Sequence, residues 1–191
     1  MNINKAIRKQ NKSLKRFLFS ESFIFFVLIL ILTYFDNLST YLKITIIFME
    51  ALVVIAMISK LQSKYLKYVT NDNKISIKTG ILDISMNFRV DNVVLVHTED
   101  EFKDIKIILI IASKIKRRRY KKVNDKFLRN HKVVYENFKN IKHKNINKKY
   151  YYIIIEKGSF MKYKLLNDIY IKCTKAFFTD EAIDRIKQYR N

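Results

Sequence analysis

The sequence is poor in the residues that build most recognisable active sites. Proline is absent, glycine occurs twice, as Gly80 and Gly158, and cysteine once, as Cys173. Two isolated glycines cannot form a glycine-rich phosphate loop. A single cysteine gives neither a disulfide framework nor a cysteine-based metal site. It reads as a small buried apolar residue in a reducing compartment. The histidines His97, His131 and His143 are far apart in the chain and form no HExxH-type pair. Acids are scarce: 17 against 38 lysines and arginines, for a formal net charge of +21. The acidic group Glu99, Asp100, Glu101 and Asp104 lacks the spaced ligands and glycine of a calcium loop. It reads as a solvated turn, facing the basic part of the chain. No catalytic residue, metal site or cofactor motif is assigned, and the chain is read as non-enzymatic.

What the chain has instead is apolar sequence in two long blocks. Residues 17–35 (FLFSESFIFFVLILILTYF) and 41–61 (YLKITIIFMEALVVIAMISKL) are each long enough, as helix, to cross about 30 Å of hydrocarbon. Residues 1–16 carry Lys5, Arg8, Lys9, Lys12, Lys15 and Arg16 and no acid. No small-x-small cleavage site follows the first run, so it reads as a retained helix rather than a signal peptide. Lys60, Lys64 and Lys67 lie at and beyond the end of the second run, whereas the turn between the runs is nearly free of positive charge. By the positive-inside rule both termini are cytoplasmic. Glu50 falls near mid-depth in the second run, where an ionisable side chain is costly. Val27, Leu28 and Ile29, expected opposite it, cannot bond it, so Glu50 is expected to be protonated, paired to a polar group on another chain, or nearer the membrane interface than mid-depth.

The remaining residues, 62–191, read as one small domain. Short alternating segments predict strands over 74–78, 81–90, 93–97, 105–112, 150–156, 160–166 and 169–173. Residues 157–159 carry a hairpin-turn signal. Thr179 is a good N-cap for a closing helix, with Asp180 and Glu181 at its start and Arg185, Lys187 and Arg190 toward its end. One short helix cannot cover both faces of such a sheet, so a bent sheet or open barrel plugged by that helix is expected.

A basic insert, 113–149, interrupts the strands. It holds fifteen lysines and arginines against two acids, Asp125 and Glu136. Val123, Phe127, Val134, Phe138 and Ile141 recur at helical spacing with His131 on the same face, which predicts a basic amphipathic helix. Lys116, Arg117, Arg118, Arg119, Lys121 and Lys122 are its candidate contacts to an anionic lipid surface or an acidic partner, since juxtamembrane cations gain from an anionic leaflet. Nucleic acid is the weakest reading, because no binding motif for it is present.

Two stretches resemble a known group, bacterial membrane proteins with two amino-terminal helices and a pleckstrin-homology-like (PH-like) cytoplasmic domain, of which the YcxB-like family is the nearest. In FRVDNVVLVHTED (88–100), Val90, Val93, Val96 and Glu99 hold the places of that family's strand motif. IYIKCTKAFFTDEAIDRIKQY (169–189) is similar to its last strand, its Ala-Phe pair (Ala176-Phe177) and its closing helix. The sequence departs at Val90, where a Trp is usual, and at Cys173, where a Pro precedes the Ala-Phe pair. The resemblance implies a seven-strand bent sandwich with a capping helix and transfers no catalytic residue.

The expectation is therefore an α+β membrane protein: a basic amino terminus (1–16), a transmembrane hairpin (17–61) and a PH-like β-sandwich or open barrel (62–191) with a basic helical insert. Its function is a membrane-anchored binding or scaffold role, with a protein partner or a second copy. The alternatives are a subunit of a secretion, conjugation or transport assembly with Glu50 at a helix interface, and a membrane tether for nucleic acid.

Overall fold

The computed structural model describes residues 3–35, 39–101, 104–113, 120–144 and 149–190. Helix α1, Ile3–Tyr34, is continuous from the basic amino terminus through the first apolar run. At 1.5 Å per residue its 32 residues span about 48 Å, well beyond a hydrocarbon core. Helix α2, Thr40–Lys64, is capped by the Ser39 hydroxyl and packs against α1. Both helices are long and apolar enough to cross a membrane. Their outer faces leave large side chains uncovered, among them Phe19 at 78% and Phe48 at 63% exposure.

The remainder is α+β, with one antiparallel and one mixed sheet. Strands β1 (Leu66–Thr70), β2 (Lys74–Thr79) and β3 (Met86–Arg89) form an antiparallel three-stranded sheet. A 3-10 turn, Val90–Asn92, leads into β4 (Val93–Glu101), which hairpins with β5 (Asp104–Ala112). With β6 (Lys121–Lys122), β7 (Tyr150–Ile155) and β8 (Phe177–Phe178) these make a second sheet, ordered β6-β7-β5-β4-β8. Its pairings are antiparallel except β4 with β8.

Strand β5 explains the layering. Ile105, Ile107, Leu109 and Ile111 point into a core shared with β1–β3, while Ile108 and Ile110 point to the opposite face. The first core is closed by helices α5 (Met161–Lys172) and α6 (Asp180–Arg190) through Leu165, Leu166, Ile169 and Ile186. The second face is covered by α3 (Asp125–Asn130) and α4 (Lys132–Lys144) through Phe127, Val134 and Phe138. Each fully buried Ile or Leu contributes about 1.5–3 kcal/mol, which is why a strand buried on both sides needs both layers.

Four expectations change. Residues 160–173 are one helix, α5, and not two strands, so two carboxy-terminal helices close the core. The insert holds two helices, broken at His131, and the stripe of Phe127, Val134 and Phe138 faces the protein's own sheet. The strand expected over 81–90 is paired only from Met86; residues 81–85 are a loop. The acidic stretch from Thr98 to Glu101 is not a turn, because it continues β4.

The hairpin is firmly joined to the domain. Only Tyr65 separates α2 from β1. Gly158 N–H donates to Ser63 O at 3.1 Å and Gly80 N–H to Tyr65 O at 2.8 Å. At the other end of the chain Ile3, 2% exposed, lies in the first core with Ile7 packed beside it. The side-chain oxygen of Gln10 accepts from Phe160 N–H at 3.2 Å.

Candidate functional site

The predicted contact residues separate. Lys121 and Lys122 form β6, the exposed edge of the second sheet, opposite Tyr152 and Tyr151. Lys116, Arg117, Arg118 and Arg119 lie outside the described residues. Glu50 is half-buried in α2, and its Oε1 is shielded without a hydrogen-bond partner among the described residues. A shielded oxygen left so is expensive unless protonated or met by a further polar group.

A polar cleft of about 650 Å³ opens where β4 runs past its short partner β8. Strand β4 supplies His97, Thr98, Glu99 and Asp100. The α3–α4 junction supplies His131, and α6 supplies Glu181 and Arg185. His97 is buried, and its Nδ1 lies 2.9 Å from the Thr179 hydroxyl. That hydroxyl caps α6 by accepting from Ala182 N–H at 3.4 Å, so its own proton is free to go to Nδ1. The ring proton then sits on Nε2, which faces the Glu99 carboxylate 3.8 Å away. Glu99 is also in short contact with His131 Nδ1. One nitrogen of Arg185 reaches both Asp100 oxygens, at 2.6 and 2.5 Å. Burial lowers the His97 pKa below the ordinary imidazole value; the Glu181 and Glu99 carboxylates oppose that and His131 adds to it.

The arrangement sets two hydrogen-bonded pairs, Thr179 with His97 and Glu99 with His131, side by side, with His97 Nε2 3.8 Å from Glu99, a distance for charge attraction rather than a hydrogen bond. Among the described residues no group of three or more His, Cys, Asp or Glu is placed to hold a metal ion. The acids expected to be solvated also pair: Glu99 with His131 of the insert, Asp100 with Arg185 while its side chain stays 65% exposed, and Asp104 with Lys162. Spacing gave no sign that His97 and His131 flank one carboxylate. The available signal was the alternation of His97 and Glu99 on one face of β4.

No protein-family model matches the chain, and neither curated proteins nor solved structures give a match.

Proposed function

We propose that the chain is a membrane-anchored, non-enzymatic binding protein. Helices α1 and α2 span a bilayer, both termini lie on the cytoplasmic side, and the α+β domain is presented at that surface to an anionic lipid surface or a protein partner. The supporting observation is the contrast along the hairpin. Its outer faces are uncovered apolar side chains, while its domain-side end carries Arg16, Lys60 and Lys64, with Lys60 Nζ 5.6 Å from the centre of the Phe17 ring. Apolar exposure on that scale is stable in lipid and not in water. The PH-like reading of the domain is supported by β1–β3 and the second sheet sharing one core under carboxy-terminal helices; the stretch that the YcxB-like resemblance takes as a last strand, from Ile169, is instead the end of α5. Lys121 and Lys122, with Lys116, Arg117, Arg118 and Arg119 of the same stretch, are the proposed anion contacts.

The test is fractionation with labelling. The full chain is expected in the membrane pellet after an alkaline carbonate wash. An impermeant maleimide applied to intact cells is expected to label Ser39→Cys and not Lys187→Cys. Recovery in the supernatant, or the reverse labelling, overturns the reading. For the anion contacts, full chain held in zwitterionic nanodiscs should capture anionic vesicles. The Gln variant of Arg117, Arg118, Arg119, Lys121 and Lys122 should capture fewer, and unchanged capture would remove the lipid surface as partner.

The unpartnered Glu50 oxygen favours a second reading, a subunit whose α2 meets another membrane helix. Glu50→Gln should then keep the assembly and Glu50→Leu break it; a monomer in native mass spectra of the wild type argues against it.

A further inference from the structure

The loop between β2 and β3 exposes several apolar side chains close together in sequence at the end of the hairpin. Ile81 is 39%, Leu82 78% and Ile84 48% exposed, whereas Met86 and Phe88, next in the same segment, are buried. The loop does not stray. The Gln62 side-chain oxygen accepts from Ile81 N–H at 2.8 Å and from Leu82 N–H at 3.3 Å. Gln62 lies in the last turn of α2, one residue beyond the second apolar run. The loop is thereby pinned at the level where α2 leaves its apolar span.

Part of its polar load is met inside the protein. The carboxylate of Asp83, its one charged side chain, receives the Thr79 hydroxyl at 3.3 Å and Lys157 Nζ at 3.3 Å. Two of its backbone donors are taken by Gln62. The charge and part of the backbone are thus spared the full cost of entering a less polar medium, and three of the loop's four exposed side chains, those of Ile81, Leu82 and Ile84, are apolar. Beside the loop, Lys67 of β1 stands directly opposite Lys78 of β2. Like charges facing across strands repel, and an anionic layer relieves that.

We propose that Ile81, Leu82 and Ile84 form a third membrane contact, seated in the interfacial layer of the bilayer that holds α1 and α2, with Lys67 and Lys78 against its head groups. The proposal rests on the reading that α1 and α2 span. The loop then sets the tilt of the domain and determines which of its faces looks into the cytoplasm.

The experiment uses the full chain in nanodiscs, with an environment-sensitive fluorophore on Leu82→Cys or Ile84→Cys and lipids carrying a quencher at a shallow or a deep acyl position. Ile55→Cys on α2 and Lys164→Cys on α5 are the references. The Ile55 probe should be quenched from the deep position and the Lys164 probe from neither. Both loop probes should lose about half their emission to the shallow quencher and be shifted to the blue, as for side chains held at the head-group boundary. Quenching at Ile55 with none at Leu82 or Ile84 overturns this proposal and leaves the spans standing. No quenching at Ile55 overturns the spans themselves, and the loop contact with them.

Discussion

The side-chain amide of Gln62 fills the space that a Cβ on Gly80 would occupy, with its nitrogen 2.6 Å from that position. The second glycine has a similar place: a Cβ on Gly158 would stand 2.5 Å from Leu66 Cβ. Both glycines of the chain therefore sit where the hairpin meets the domain, and both have left-handed backbone, with φ of +93° and +114°.

Gly80→Ala is expected to cost about 1–3 kcal/mol from backbone strain, and to swing Gln62 away from Ile81 and Leu82. Gly158→Ala should cost more, because Leu66 Cβ is fixed to its backbone and cannot turn aside as an amide can. Thermal unfolding in detergent micelles reads both. Equal losses would mean that the close approach at Leu66 carries no weight.

Lys162 is fully buried with its ammonium 2.8 Å from Asp104 and in hydrogen-bond contact with Glu156 O. Removing one member of a buried pair costs about 3–5 kcal/mol when both charges are inside. The Asp104 side chain keeps 35% of its surface in water, so Lys162→Met should cost about 2 kcal/mol. Adding Asp104→Asn should recover part of that loss. Additive losses in the double-mutant cycle would show that the two side chains do not act as a pair.

His97 gives a pH dependence of definite sign. Its folded pKa is lowered, chiefly by burial, so below the ordinary imidazole value the unfolded chain binds the extra proton. The contribution to stability is intact above about pH 6.5 and is lost as pH falls from there toward the lowered folded value. His97→Gln should flatten this part of the stability curve, while the carboxylate titrations further down remain. A wild-type curve that is already flat between pH 7 and 5 contradicts the assignment.

Burial pushes the Cys173 thiol up to about 12. In the native protein it should resist maleimide, and it should react at once when the chain is unfolded in detergent and denaturant. Rapid native labelling would show that α5 opens readily at its carboxy-terminal end.

Ile3 belongs to the core although it stands at the beginning of α1, far in sequence from the domain. Ile3→Asp should lower the stability of the domain by about 2 kcal/mol or more, through a charge placed among Ile and Leu side chains. Membrane partition should be unchanged. A melting temperature equal to wild type would mean that the start of α1 is not seated.

Much of this fold is legible in the chain where pattern and environment agree. The apolar runs, β5, β7 and α6 with its Thr179 cap all carry the period of their element. Residues 160–173 do not, because Lys162 is buried. With that lysine counted as polar, the stripe Lys162, Leu165, Leu166, Ile169 and Cys173 is hidden, and the Tyr and Ile residues suggest strands. The insert shows the reverse problem. Its stripe is correct in the sequence, but spacing cannot say whether a helix faces a bilayer or its own sheet. In 81–85 the alternation is present, yet the pull of Gln62 on two backbone N–H groups replaces strand pairing. The cleft around His97 and His131 depends on contacts between distant segments that no local pattern records.

The Gln10–Phe160 contact joins positions 150 apart in sequence. During synthesis the amino-terminal end of α1 therefore emerges first and is seated last, after α5 has left the ribosome. Until then the early core stands open on one side, so a premature stop before α5 would leave a chain that keeps its apolar hairpin but cannot complete its α+β domain.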